Sequence, residues 1–464
     1  MELKDKKLTP AQDMLVGSLL FGLFFGAGNL IFPVYMGQEA GTSIVPAVLG
    51  FLTTAIGVPF LGVVAIGVSR SSGLFNLSSR VHPFFGYMMT ILLYLTIGPF
   101  FAIPRTASVS FEVGIASFVG ESWRGGVLAG FSLLFFCGVL FFSLRNSNIL
   151  TWVGKILNPL FLVFLSVLMG AALFFPMGEL LPGSGDYSTA PFFSGFIAGY
   201  NTMDAIASLA FGIIVIQTLK DIGVSSPRGL AWGTVRAGGV SMVLMGLIYA
   251  ILTFMGASSV GRIGMTSNGG LSLALIARHY FGSAGGVLLA LIITLACLKT
   301  AVGLITACAG TFVRIFPRSL GYRTYVYVFT GISCLIANVG LTRIISLSVP
   351  VLMLLYPLAI SLIILGLLSP FFRDSRNVYF CGIIAVIPVS IGDFLRSLPE
   401  SVARLSSFGA YIDFCGKTFP WFELGLGWFV PLCVGTGAGW LWILIAGKRH
   451  FARNAGQEGT NEDS

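Results

Sequence analysis

The sequence predicts an all-α membrane protein with twelve transmembrane helices. Three observations predict it. Only 10% of the 464 residues are charged, against ~25% in a soluble domain. The mean hydropathy is +0.92. Long apolar runs recur from residue 14 to residue 446. So little charge cannot cover the surface of a soluble fold this large. The runs are unbroken, whereas β-barrel strands alternate over ~10 residues. Their recurrence to residue 446 excludes a signal peptide followed by a soluble domain.

A helix needs ~20 mostly apolar residues to cross a bilayer. Twelve runs meet this: 14–37, 44–68, 86–118, 125–142, 152–175, 192–217, 234–256, 285–312, 325–340, 345–368, 378–395 and 425–446. The third is long enough to tilt or to extend beyond the bilayer. The less apolar stretches 259–282 and 396–424 predict short helices or loops on the surface. Lys and Arg divide eighteen to seven between alternate loops, with Arg105 and Lys299 inside spans. By the positive-inside rule this places both termini in the cytoplasm. It also accounts for the net charge of +9 without a nucleic-acid partner. The organisation expected is an N-terminus at 1–13, spans one to five at 14–175, an outer loop at 176–191, spans six to ten at 192–368, two further spans at 378–446 and a polar, disordered cytoplasmic tail at 447–464. The seven Cys and three His show no disulfide or metal spacing.

Two spans contain interruptions. The first reads Phe25-Gly26-Ala27-Gly28-Asn29-Leu30-Ile31-Phe32-Pro33, with two glycines, an Asn and a Pro in mid-membrane. Backbone freed from helical bonding is tolerated there only where protein or a cavity covers it. The stretch is therefore either an unwound, ligand-binding segment or a helix kinked by Pro33. The sixth span reads Gly199-Tyr200-Asn201-Thr202-Met203-Asp204. A carboxylate at that depth is costly and is usually functional or paired; alternatively Asp204 caps a helix near its end. The breaks lie five spans apart, so the sixth span crosses opposite to the first and a repeat of five would be inverted. Paired broken helices are the best sequence pointer to a transporter's binding site.

Other polar groups stand inside spans. Arg105 and Glu112 are seven residues apart, so they share a helix face two turns apart. They line a vestibule or gate, or each pairs with another buried group. Lys299 lies deep in the eighth span. It replaces a bound cation, carries a transported proton, or pairs with Asp204 or Glu112. No G-x-x-x-x-G-K-[ST] loop, H-E-x-x-H or G-x-S-x-G motif is present, which argues against ATP-driven pumping and enzymatic activity.

Several motifs resemble one family. Gly26-Ala27-Gly28-Asn29-Leu30-Ile31-Phe32-Pro33, Gly98-Pro99-Phe100-Phe101-Ala102-Ile103-Pro104-Arg105-Thr106-Ala107, Ser110-Phe111-Glu112-Val113-Gly114, Gly199-Tyr200-Asn201-Thr202-Met203-Asp204, Thr300-Ala301-Val302-Gly303-Leu304 and Ser348-Val349-Pro350-Val351-Leu352 are similar to segments of the BrnQ-type branched-chain amino acid:cation symporters. The resemblance spans about residues 14–446. It implies a multi-pass carrier of the inner membrane for leucine, isoleucine and valine, without a cofactor and usually driven by Na⁺. The implied fold is LeuT-like, a five-plus-five inverted repeat plus two C-terminal helices. The substrate carboxylate would then contact Gly26, Ala27, Gly28 and Asn29, and the ammonium group the region Tyr200, Asn201, Thr202, Met203 and Asp204. Phe100 and Met203 would take the branched side chain. In LeuT-like folds an Ala and two hydroxyl residues on the eighth span bind a sodium ion. Here Ala296, Lys299 and Thr300 fill that pattern. An ammonium group at its second place either repels Na⁺ and shifts coupling to H⁺, or points elsewhere and leaves Na⁺ to Thr300 and first-span carbonyls. The alternative in another class is a non-transporting amino-acid sensor or scaffold on the same fold.

Overall fold

The structure, a computed structural model, describes residues 9–145, 149–224, 226–403 and 406–458. Among these residues the regular elements are all helical. The first segment contains α1 (Pro10–Phe24), α2 (Gly28–Ala40), α3 (Ile44–Leu52), α4 (Val58–Val68), the short α5 (Leu74–Ser78), α6 (Pro83–Leu95), α7 (Ala102–Gly114) and α8 (Glu121–Leu144). Then come α9 (Ile149–Phe174), α10 (Pro191–Ala198), α11 (Asp204–Asp221), α12 (Pro227–Ile263) and α13 (Gly269–Ile315). The last group is α14 (Tyr322–Ala337), α15 (Leu341–Leu368), α16 (Arg376–Arg396), α17 (Glu400–Ala403), α18 (Ser406–Thr418) and α19 (Phe429–Glu458).

Local chemistry fixes several boundaries. Thr9 and Gln12 form a reciprocal capping box, and Pro10 occupies the first turn of α1, where its missing N–H costs nothing. The first span therefore begins four residues before the apolar run. Seven helical stretches are long and apolar enough to cross a membrane, and the pair Pro191–Thr202 and Asp204–Asp221, bent by 48°, makes an eighth. Three shorter apolar helices accompany them: Pro10–Phe24, Phe161–Phe174 and Phe429–Ile445. The stretch 259–282 carries a short helix of its own, but many of its residues are buried rather than on the surface. Its first residues complete α12, and the rest opens α13, which turns at Gly282 (φ 61°). That φ suits glycine, which has no Cβ to clash. The region 396–424 carries the short helices α17 and α18, as its composition predicts. The tail departs from expectation: α19 continues as helix to Glu458. Once an apolar helix is nucleated, each added residue gains a backbone bond without a new nucleus, and Ala452 and Ala455 favour the extension. Residues 1–8 and 459–464 lie outside the described residues.

The packing is reciprocal. α12 packs along both α1 and α2, while α3 and α4 pack along α10 and α11. α7 lies against α13, and α8 against α14. Exchanging spans one to five with spans six to ten preserves this pattern. Glycines allow backbone contact at both broken spans. A Cβ on Gly256 would stand 1.9 Å from the Val34 carbonyl, and one on Gly37 2.0 Å from that of Thr253. Likewise a Cβ on Gly50 would meet the Phe192 carbonyl at 1.9 Å, and one on Gly195 that of Ala47 at 2.0 Å. Small residues at such interfaces let helices approach closely in lipid.

Candidate substrate site at two broken helices

Both interruptions are real breaks. Between α1 and α2 the chain leaves the helix at Phe25 (ψ 95°) and re-enters at Ala27 (ψ −36°). The Asn29 side chain holds this turn, its Oδ1 accepting from the Gly26 N–H at 3.0 Å. Pro33 lies inside α2 rather than ending it. It has no N–H to donate to the Asn29 carbonyl four residues earlier, so α2 starts with a weakened first turn. In the sixth span α10 gives way to a tight turn over Gly199–Thr202, then to Met203 in the left-handed region (φ 63°). Such a φ is uncommon for a side chain of this size and costs of order 1–3 kcal/mol, a strain typical of functional sites. Thr202 stabilises the turn: its Oγ1 donates to the Gly199 carbonyl at 2.9 Å and accepts from the Asp204 N–H at 3.3 Å.

The breaks meet. Asn29 Nδ2 donates to Asp204 Oδ2 at 2.5 Å and to Tyr249 Oη, on α12, also at 2.5 Å. All three residues are buried. One amide thus ties the first break to the carboxylate opening α11 and to the helix packed behind both. Phe25 carries an apolar wall beside this point, with its ring centroid 6.0 Å from Phe161 and 6.4 Å from Tyr249. Tyr200 stacks on Tyr356 of α15 at 3.9 Å.

The structure therefore brings Gly26, Ala27, Gly28, Asn29 and the segment Tyr200–Asp204 together. Arg105 belongs with them and not with Glu112. Its Nη1 donates to the Asn201 carbonyl at 2.7 Å, and its guanidinium lies over Phe32 at 4.9 Å. Glu112 instead accepts from Arg124 at 2.8 Å. Each of the two charges thus meets its own polar partner, two helical turns apart on α7. Phe100 makes none of these contacts. It is 38% exposed, and its ring partner among the described residues is Phe101. Its segment, Thr96–Phe100, is a wide π-turn with Gly98 and Pro99, which changes the rotation expected of a regular helix. Met203, by contrast, is 2% exposed at the second break.

On α13, Thr300 Oγ1 donates to the Ala296 carbonyl at 3.0 Å. Lys299 and Ala296 are both partly exposed. Lys299 has no carboxylate partner among the described residues. It forms no ion pair with Asp204 or Glu112, whose side chains bond Asn29 and Arg124. Sequence reasoning missed Tyr249, Tyr356 and Phe161. The only signal was a tyrosine within an apolar run, which a lipid-interface or packing role explains equally well.

Two broken helices that meet through a buried amide and a carboxylate mark a LeuT-like fold, and the family matched over residues 10–445 makes the chain a membrane transporter. The fold agrees with solved transporters at low identity. Mhp1, a nucleobase-cation-symport-1 family transporter, matches in its inward-facing conformation with a TM-score of 0.60 at 15% identity, covering 96% of each chain. In its closed, bromovinylhydantoin-bound conformation the TM-score is 0.58 at 15% identity, covering 95% of this chain and 96% of Mhp1. Residues 10–445 match the family described as branched-chain amino acid transport protein, and the chain belongs to it. Branched-chain amino acid permease BrnQ of Lactobacillus delbrueckii subsp. lactis is 48% identical over 92% of this chain and 96% of that protein. BrnQ of Bacillus subtilis is 41% identical over 96% and 99%.

Proposed function

We propose that this protein is a secondary transporter that imports leucine, isoleucine and valine by alternating access. The Asn29–Asp204 hydrogen bond between the two breaks carries the reading. A zwitterion needs donors for its carboxylate and acceptors for its ammonium group, and each broken span supplies one kind. The first break presents the N-terminus of α2, where the amides of Ala27 and Gly28 find no backbone acceptor among the described residues. The second presents the Asp204 carboxylate and the carbonyls of its turn. Phe25, Phe161 and Met203 offer apolar surface to the branched side chain. One methylene alters binding by only ~1–3 kcal/mol, so the three amino acids compete. The names of the relatives, branched-chain amino acid permeases, support this substrate class.

In this reading the chain crosses the inner membrane twelve times with both termini in the cytoplasm. Spans one to five and six to ten form an inverted repeat, with spans eleven and twelve appended. Broken spans one and six, with two and seven packed along them, rock against the remaining helices. The coupling ion is Na⁺, held by Thr300 and first-span carbonyls near Ala296, unless the Lys299 ammonium group takes that place and coupling passes to H⁺. The test is labelled-leucine uptake by proteoliposomes under separately imposed Na⁺ and pH gradients. Gradient-driven accumulation is expected, with competition by isoleucine and valine. Specific leucine binding without accumulation under either gradient would instead establish a sensor. In the same assay Lys299→Ala removes H⁺-driven uptake if the ammonium group occupies the cation site, and leaves a Na⁺-driven rate intact if it does not.

A further inference from the structure

Arg105 is a buried positive charge beside the breaks. It is 6% exposed. Nη1 is committed to the Asn201 carbonyl. Nη2 makes no hydrogen bond among the described residues, and Arg105 forms no ion pair there. That nitrogen reaches the first residue of α2, since a Cβ built on Gly28 would lie 3.0 Å from it. α2 has 13 residues, and its N-terminus carries partial positive charge with unsatisfied amides. The Ala27 and Gly28 amides supply that positive end, and neither finds a backbone acceptor among the described residues. A buried guanidinium and a helix N-terminus thus converge, while Asp204, the carboxylate at the same breaks, bonds Asn29 and forms no ion pair with Arg105. A carboxylate fits, because its two oxygens can take the planar guanidinium edge and an amide together.

We propose that Arg105 is the carboxylate anchor of the substrate site: Nη2 and the Ala27 and Gly28 amides hold the α-carboxylate, and Asp204 receives the α-ammonium group. The proposal rests on the breaks being an amino-acid site, and it adds the residue that makes a free carboxylate obligatory. It also explains Gly28, because any side chain there would occupy the approach to Nη2. Through Nη1 the same guanidinium grips the second break, so a carboxylate bound to Arg105 is held to both broken spans at once. Asp204 and Arg105 form no direct ion pair with each other, so neither charge neutralises the other by direct contact.

The experiment compares leucine, leucinamide and 3-methylbutylamine as ligands of the purified full chain in nanodiscs. The amide keeps the ammonium group and side chain but lacks the carboxylate charge, and the amine lacks the whole group. The parent protein is expected to prefer leucine to leucinamide by about 100-fold, the scale expected when a buried charged donor loses its partner. In Arg105→Gln that ratio falls to below about 5-fold, while leucinamide affinity stays within about 3-fold of the parent. A purely structural staple predicts otherwise: both ligands weaken by the same factor and the ratio persists, which overturns the proposal. Arg105→Lys keeps the charge but loses the planar fork, and an intermediate ratio is expected. If Arg105→Gln does not fold, an unchanged ratio in Arg105→Lys overturns the proposal instead. A parent protein that binds no leucine overturns the amino-acid site itself, whereas a leucine-binding parent with an unchanged ratio overturns only the role of Arg105.

Discussion

Replacing Asn29 by alanine removes three hydrogen bonds at once. The amide loses its bonds to Asp204 and Tyr249, and the carbonyl oxygen loses the Gly26 N–H. A hydrogen bond to a charged group contributes about 2 kcal/mol and each neutral one about 1 kcal/mol, so together the loss is about 4 kcal/mol. The three share one side chain and are not strictly additive, so this is an upper figure. Part of the loss falls on the site rather than on global stability, because the bonds join the breaks rather than the packed halves of the helices. At about 1.4 kcal/mol per tenfold, leucine uptake measured as kcat/KM falls by about 100- to 1,000-fold. The assay is initial-rate uptake in proteoliposomes, normalised to folded protein by size-exclusion profile. Melting in detergent serves as control and is expected to drop by only a few degrees. An Asn29→Ala protein that folds and transports leucine within about 3-fold of the parent refutes the reasoning, because the link between the breaks would then carry no function.

Other outcomes follow from the same geometry. Tyr249→Phe deletes one neutral acceptor from Asn29 and is expected to reduce uptake by about 10-fold, with little change in melting temperature. Glu112→Gln is expected to leave the KM for leucine within about 2-fold, because Glu112 faces Arg124 and that partly exposed pair contributes at most about 1 kcal/mol; a large KM effect would return Glu112 to the substrate path. Gly256→Leu pushes a side chain into the Val34 backbone and separates α2 from α12. Overpacking of this kind costs about 1–3 kcal/mol or more, seen as lowered thermal stability and yield of folded protein in detergent.

Much of the architecture was legible because lipid imposes a simple rule: apolar runs become helices. The run 44–68 coincides with the ends of α3 and α4. The breaks were legible for a related reason. Gly26, Gly28, Asn29 and Asp204 are poor choices for the middle of an apolar helix unless something uses them. What joins the breaks was not legible. Arg105 and Glu112 share a face by count, but contact depends on which neighbour lies at each height, and α7 meets the second break at one end and the α8 region at the other. Tyr249 and Tyr356 lie in helices whose periodicity marks them as ordinary buried aromatics. Only the approach of α12 and α15 to the breaks makes Tyr249 a hydrogen-bond partner of Asn29 and Tyr356 a stacking partner of Tyr200. Phe100 lies within a π-turn whose Gly98 leaves helical φ/ψ, so regular helical spacing does not tell which way its ring faces.

Transport by this geometry requires that one amino acid bind between the two breaks. The most direct test is an experimental structure of the protein in a lipid nanodisc with leucine bound. The account predicts the leucine zwitterion between residues 25–28 and 201–204, with the Asn29–Asp204 contact opened or bridged by the ligand. Leucine bound elsewhere, or unbroken helices through Gly26 and Met203, would contradict it.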